Sequence, residues 1–241
     1  MCLCFMSFSL VATAQKYRVK SVSAERIEVT RALDAQHDEL AWQTVKPYKS
    51  GVKKETEPVL GMSRVTMTAG RPESLLGNWV ADALVEGSTC AGGPKADFGL
   101  ANVGSLRSRM PEGIVRRGDI LQISPFENNL VVLELKGKDV LELMRNIADV
   151  KGEAVSREVR MEIDAEGNVL QVRIGEKEID KKRTYLIATL DYLAEGNDRM
   201  YALKKHRRKH ETGMSVRELM MESVVKNRTI DSRIEGRIVM K

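Results

Sequence analysis

The sequence predicts an α+β fold: one mixed domain preceded by an N-terminal helical extension. Three observations lead there. Apolar residues between 74 and 86 recur at helical spacing, and those between 159 and 174 alternate as the two strands of a hairpin. Other helical and extended stretches intermix on either side of that hairpin. At 241 residues, with 42% hydrophobic and 30% charged residues, the chain has the composition of a globular domain and the length of one unit with a sizeable core. Its 39 basic and 34 acidic residues leave a formal charge of +5. That is enough to favour anionic ligands by steering, and short of the basicity of a dedicated nucleic-acid binder.

Taken in order, Met1 to Ala14 is apolar and uncharged and ends Ala12-Thr13-Ala14, an A-x-A pattern. It reads as a secretory signal, although the basic residues expected upstream are absent. It is shorter than the roughly 20 apolar residues a spanning helix needs, and no later segment reaches that length either. Removing it takes away Cys2 and Cys4 and leaves Cys90, which by itself makes neither an intramolecular disulfide nor a cysteine-rich zinc site. The expected organisation is a signal at 1–14, an extension at 15–59 and a domain at 60–241, exported to a periplasmic or extracellular compartment.

Residues 15–30 alternate around Tyr17, Val19, Val22, Ile27 and Val29 and are expected to be extended. From Asp34 to Glu57 the pattern turns helical, with Leu33, Leu40, Tyr48 and Val52 on one face, Pro47 interrupting and Pro58 closing. A short strand is expected at Arg64–Thr68. Residues 74–86 give the clearest helix, with Leu75, Leu76, Trp79, Val80, Ala83 and Leu84 in one stripe behind Pro72. The glycine-rich loop at 91–94 ends it, and Ala96–Ala101 reads as a buried strand. Leu130–Leu135 is a strand, and Gly137 opens a helix with Val140, Leu141, Met144 and Ile147 inward. Val159, Met161 and Ile163 alternate, Asp164-Ala165-Glu166-Gly167-Asn168 turns the chain, and Leu170, Val172 and Ile174 alternate again. Tyr185–Leu190 is a buried strand, Val216, Leu219, Met220 and Val224 mark a last amphipathic helix, and Ile234–Met240 a last strand.

Three segments resemble the C-terminal domain of the 5′-nucleotidase family, in that family's order. Leu76-Gly77-Asn78-Trp79-Val80-Ala81-Asp82-Ala83 is similar to L-G-N-L-I-A-D-A. Asn102-Val103-Gly104-Ser105-Leu106-Arg107 is similar to N-G-G-G-I-R, followed by Gly118-Asp119-Ile120 and by Ser124-Pro125-Phe126-Glu127-Asn128 against a P-F-G-N turn. Ala188-Thr189-Leu190-Asp191-Tyr192-Leu193-Ala194-Glu195-Gly196-Asn197-Asp198 is similar to A-T-N-F-L-A-x-G-G-D. The resemblance covers about residues 60–203 and implies a nucleoside pocket. In it Phe126 and Tyr192 sandwich the base, a stacking worth on the order of 1–3 kcal/mol per base. It implies that Arg107 approaches the phosphate with bidentate bonds, that Asn102 and Asp198 bond the ribose side, and that Asn128 of the P-F-G-N turn is a further substrate-binding residue. Arg71 lies near a second arginine of the family, out of register. The chain departs from the pattern where Val103 and Ser105 replace glycines, where Glu127 replaces the glycine of P-F-G-N, and across Gly196-Asn197-Asp198-Arg199-Met200.

The family's catalysis uses two divalent ions held by D-x-H, G-N-H-E and later histidine motifs of an N-terminal domain. The three histidines here, His37, His206 and His210, stand in none of these. His206 and His210 are four apart but lie among Lys204, Lys205, Arg207, Arg208 and Lys209, where cations oppose a metal. No metal or other cofactor is therefore expected in this chain. The resemblance implies a nucleotide or nucleoside as ligand and a separately encoded metallophosphatase as partner, which would hold the divalent ions. A stand-alone nucleoside-binding protein is the alternative. A third reading takes the basic run from Lys204 to Lys209 as a nucleic-acid contact, but such a run is usually a solvated loop and nucleic acid is not the expected partner.

Overall fold

The computed structural model describes residues 18–35, 38–90 and 92–241. The expected signal at 1–14, with Cys2 and Cys4, the first residues of the stretch expected to be extended, with Tyr17, and also His37 lie outside the described residues, as does the side chain of Cys90. The chain divides into two units, the first ending at Pro47 and the second comprising Tyr48–Lys241.

Residues 18–30, expected to be extended, form no strand, and Val19, Val22, Ile27 and Val29 are exposed. Alternation alone does not make a strand without a neighbour to complete its ladder. A 3₁₀ turn at Arg31–Ala35 precedes helix α1 (Glu39–Thr56). Asp38 caps α1, its Oδ1 accepting the Ala41 N–H at 3.0 Å. The helix runs through Pro47 rather than breaking there, because a proline removes one hydrogen bond while the turns on either side keep theirs. It ends just before Pro58, as predicted.

In the second unit the strands are β1 (Val59–Ser63), β2 (Phe98–Ala101), β3 (Gly113–Arg116), β4 (Asn129–Lys136), β5 (Ala154–Val155), β6 (Val159–Ile163), β7 (Val169–Ile174), β8 (Lys177–Glu178), β9 (Thr184–Leu190), β10 (Arg208–Ser215), β11 (Thr229–Ile230) and β12 (Ile238–Met240). The helices are α2 (Leu75–Cys90), α3 (Arg117–Ile123), α4 (Gly137–Asp149), α5 (Asp191–Ala194) and α6 (Val216–Asn227). Three sheets result, in the orders β11-β1-β3, β10-β4-β9-β2-β5 and β12-β6-β7-β8. In the five-stranded sheet β2 and β9 run parallel while β4 is antiparallel to β9. This mixture of sheets and helices is the α+β class that the sequence predicts.

The centre of the core is the five-stranded sheet under α2. All four residues of β2 are buried, as are Leu76, Val80, Ala81 and Leu84 on the facing stripe of the helix. Gly99 allows this approach, since a Cβ there would stand 2.3 Å from the Ala81 carbonyl oxygen. On α4 the buried set is Gly137, Val140, Leu143, Met144, Ile147 and Ala148, while Leu141, expected inward, is only partly buried.

Several boundaries differ from expectation. The strand expected at 64–68 lies earlier, at 59–63, because its partners β3 and β11 end at Gly113 and Ile230, opposite Ser63. Beyond Ser63 the Arg64 N–H still reaches Ile230 O, and Met67 forms an isolated bridge with Met110. The hairpin forms as predicted, with Asp164 accepting the Asn168 N–H at 2.7 Å and Gly167 at φ 95°. A bulge sets Val169 opposite Ile163, however, and Leu170 points out, 54% exposed. The last strand is shorter than 234–240. Glu73 accepts the N–H groups of Glu235 and Arg237, which holds that stretch as a strap across the start of α2.

Candidate functional site

Three chain segments far apart in sequence meet at one end of the five-stranded sheet. Parallel strands β2 and β9 finish there, and antiparallel β4 begins there, with Leu130 paired to Leu190. Each strand end delivers its next few residues to the same place: 102–107 after β2, 125–128 before β4, and 191–198 after β9. The cleft between them, about 350 Å³, is lined by Asn102, Gly104, Ser105, Arg107, Phe126, Asn128, Tyr192 and Asp198. That volume suits a small organic ligand. All six residues singled out from the sequence, Asn102, Arg107, Phe126, Asn128, Tyr192 and Asp198, line this one cleft.

After β2 the chain turns through a 3₁₀ segment, Val103–Ser105, closed by a bond from Ser105 Oγ to the Asn102 carbonyl at 2.8 Å. Arg107 is tied at its backbone to Ile123 O (2.8 Å), and its guanidinium donates to Gly104 O at 3.3 Å. The guanidinium carbon lies 6.0 Å from the centre of the Phe126 ring. Phe126 and Tyr192 are 46% and 41% exposed, which leaves part of each ring open to the cleft.

Asp198 sits at φ 50°, ψ 34°, the left-handed region that aspartate tolerates better than most residues. Its Oδ2 accepts from Asn102 Nδ2 at 2.5 Å and its Oδ1 from the Tyr192 hydroxyl at 3.1 Å, so it cross-links the walls built by β2 and β9. The bond to Asp198 raises the Tyr192 phenol above its ordinary value. Asn102 is buried, and its Oδ1 has no hydrogen-bond partner. Of the departures from the family pattern, Ser105 lines the cleft, whereas Val103 and the exposed Glu127 do not.

Sequence reasoning missed two supports. Arg217 of α6 donates from Nε to Ser124 O, and from its terminal nitrogen to the carbonyls of Pro125 and Phe126, all at 3.1 Å. It thereby grips the turn that presents Phe126. Glu153, 2% exposed, accepts the Val103 N–H at 2.5 Å and forms an ion pair with Arg71. Burial pushes its carboxyl above the ordinary range, and the Val103 bond and Arg71 pull it partly back. Arg71 thus turns onto Glu153 and is absent from the cleft lining. A lone glutamate in an otherwise unremarkable stretch carries no sequence signal.

Asn78 and Asp82 of the first motif serve the fold. Asn78 Nδ2 donates to Glu73 and to the Arg233 carbonyl, and Asp82 pairs with Arg157 and buried Arg237. A second, more polar cleft of about 390 Å³ lies beside these ion pairs. Among the described residues no three His, Cys, Asp or Glu side chains gather as a metal-binding group. His206 Nδ1 meets Leu203 O and His210 Nε2 meets Glu134, so the two histidines face different partners. Much of the basic run falls on or beside the edge strand β10, where Lys205, Arg208 and Lys209 pair with Glu142, Glu134 and Glu211. Paired cations along an edge strand guard it against pairing with another chain. No helix of the described residues is long and apolar enough to cross a membrane.

The chain is similar to the 5′-nucleotidase of Vibrio vulnificus, 33% identical over 141 residues, which is 57% of this chain and 25% of that protein. It is 25% identical to protein UshA of Salmonella pullorum over 140 residues, again 57% of this chain and 26% of the relative. The chain therefore spans about a quarter of the length of these curated relatives. Among solved structures, the 5′-nucleotidase precursor of Thermus thermophilus superposes with a TM-score of 0.74 at 26% identity, covering 83% of this chain and 43% of that one. The NAD nucleotidase of Haemophilus influenzae shares the fold, with a TM-score of 0.65 at 18% identity, covering 85% of this chain and 42% of that one. The family described as 5′-nucleotidase, C-terminal domain matches residues 53–205, and the chain belongs to that family.

Proposed function

We propose that this chain is the exported nucleotide- or nucleoside-recognition part of a split 5′-nucleotidase-type phosphohydrolase, assisting a separately encoded metallophosphatase in nucleotide catabolism. The observation that carries this reading is the convergence of Asn102, Arg107, Phe126, Asn128, Tyr192 and Asp198 on one cleft. Two half-exposed rings offer stacking faces that tolerate several bases. Arg107 offers a guanidinium for an anionic group, and Asn102, Asn128 and Asp198 offer polar atoms for a sugar. The divalent ions belong to the partner in this reading. Holding base and phosphate here positions the ester over the partner's metals, so binding energy remote from the reacting bond assists the chemical step.

Calorimetric titration with AMP, UMP and adenosine tests the reading. The wild-type chain is expected to bind at least one of them, and Phe126→Ala and Tyr192→Ala are each expected to weaken binding at least about fivefold, since a base–aromatic stack contributes roughly 1–3 kcal/mol. Adding a metallophosphatase encoded beside this chain is then expected to release phosphate faster than the metallophosphatase alone. Binding without that acceleration would favour a stand-alone nucleoside-binding protein. No binding to any of the three ligands would overturn the proposal.

A further inference from the structure

We infer that Glu153 is a positioning residue of this cleft: its buried carboxylate, held by Arg71, fixes the segment from Asn102 to Arg107 in the conformation that presents both side chains to the ligand. The inference rests on the reading of the cleft as a nucleotide site. Its geometry starts from the ladder between β2 and β5, which pairs Leu100 with Val155 and Ala101 with Ala154. The next pair in register is Asn102 with Glu153. There the chain leaves the sheet to make its 3₁₀ turn, so the Val103 N–H has no strand carbonyl to meet. Glu153 Oε2 takes that place at 2.5 Å, extending the ladder by one side chain.

The other carboxylate oxygen accepts from Arg71, whose Nε donates to Gly152 O at 2.7 Å. The Arg71-Pro72 segment lies directly on Gly152, where an added Cβ would stand 2.5 Å from the Pro72 carbonyl oxygen. Three segments are thus locked through one carboxylate. Arg71 and Asp198 are the charged groups that act on it, Arg71 favouring its ionised form and Asp198 opposing it. A carboxylate 2% exposed is an expensive way to fill space, and an apolar residue would fill it at less cost. What Glu153 supplies is an acceptor for the Val103 amide at the start of the turn, whose far end is held by the Arg107 N–H on Ile123 O.

Two measurements on the full chain test this. In ¹⁵N–¹H spectra the Val103 amide is expected to exchange slowly and its proton to shift as Glu153 titrates. Both features should vanish in Glu153→Ala. In adenosine titrations at a temperature where each variant is folded, Glu153→Ala is expected to weaken binding about tenfold or more, the usual scale for losing a hydrogen bond to a charged group. Glu153→Gln still offers an oxygen to Val103 while Arg71 turns to water, and should recover affinity to within about threefold of wild type. A role in stability alone predicts altered melting temperatures with unchanged affinity in both variants, and that result would overturn the inference. A freely exchanging Val103 amide in the wild type would overturn it without any ligand, and would still decide the matter if Glu153→Ala failed to fold. Should the wild type bind no adenosine while Val103 is protected only when Glu153 is present, the anchor stands and the nucleotide reading falls.

Discussion

At the scale of single residues, the cleft places polar atoms in unequal states of satisfaction. Both oxygens of Asp198 are engaged by its own neighbours, Asn102 and Tyr192, while the buried Oδ1 of Asn102 is engaged by none. The walls built by β2 and β9 are therefore already cross-linked through Asp198. Glu153 behind them has a pH signature. Because its folded carboxyl lies above the ordinary value of 4.5, the folded chain holds that proton more tightly than the unfolded chain. The resulting stabilisation is fully present below the unfolded value and is lost as pH rises through the raised folded one. Glu153→Gln imitates the protonated side chain at every pH. The melting temperature of Glu153→Gln minus that of wild type is thus expected to grow as pH rises above 4.5, and a constant gap would contradict the assignment.

At the scale of elements, the cleft depends on where strands stop. Parallel β2 and β9 and antiparallel β4 put two carboxyl ends and one amino end side by side, and each end turns away at once into a short irregular segment. Such segments have few bonds of their own and are held from outside, Val103 by Glu153 and the Phe126 turn by α6. Arg217 donates to three consecutive carbonyls, and the N–H of Val216 reaches Asn128 O at 2.9 Å. Arg217→Ala is expected to leave α6 folded, to cost about 1–2 kcal/mol of global stability, and to lower adenosine affinity several-fold by loosening Phe126. Circular dichroism melts and calorimetry together check this. Unchanged affinity would mean that the turn keeps its shape without α6.

At the scale of the whole molecule, residues beyond the family match at 53–205 are integral to the second unit. After β10 and α6 the chain returns as a strap over α2 and ends in β12, parallel to β6. The centre of that closure is Arg237, 3% exposed, which donates to Asp82, Glu235 and the carbonyls of Asn78 and Val155. Removing one partner of a buried ionic network leaves the others desolvated and unpaired. Arg237→Met is expected to cost about 3–5 kcal/mol in denaturant unfolding, with Asp82 retaining only its exposed partner Arg157. A loss under about 1 kcal/mol would show that the strap contributes little to cooperativity.

The sequence by itself determined the α+β class, the main helices and buried strands, the family, and the identity of six residues that meet in one cleft. These are written in local period and in motif order, because a helix stripe or a buried strand is a property of neighbouring residues. Tertiary structure alone decided the rest. Pro47 stays inside a helix, and the alternating residues 18–30 make no strand, because these outcomes turn on what surrounds a segment. The strand expected at 64–68 moved to 59–63 because its partners' ends set its own. Arg71 faces Glu153, and Glu153 and Arg217 became supports of the cleft, only through contacts spanning 50 to 93 residues. A hydrogen bond between distant segments leaves no periodic trace in either of them, so it becomes visible only when the chain is folded.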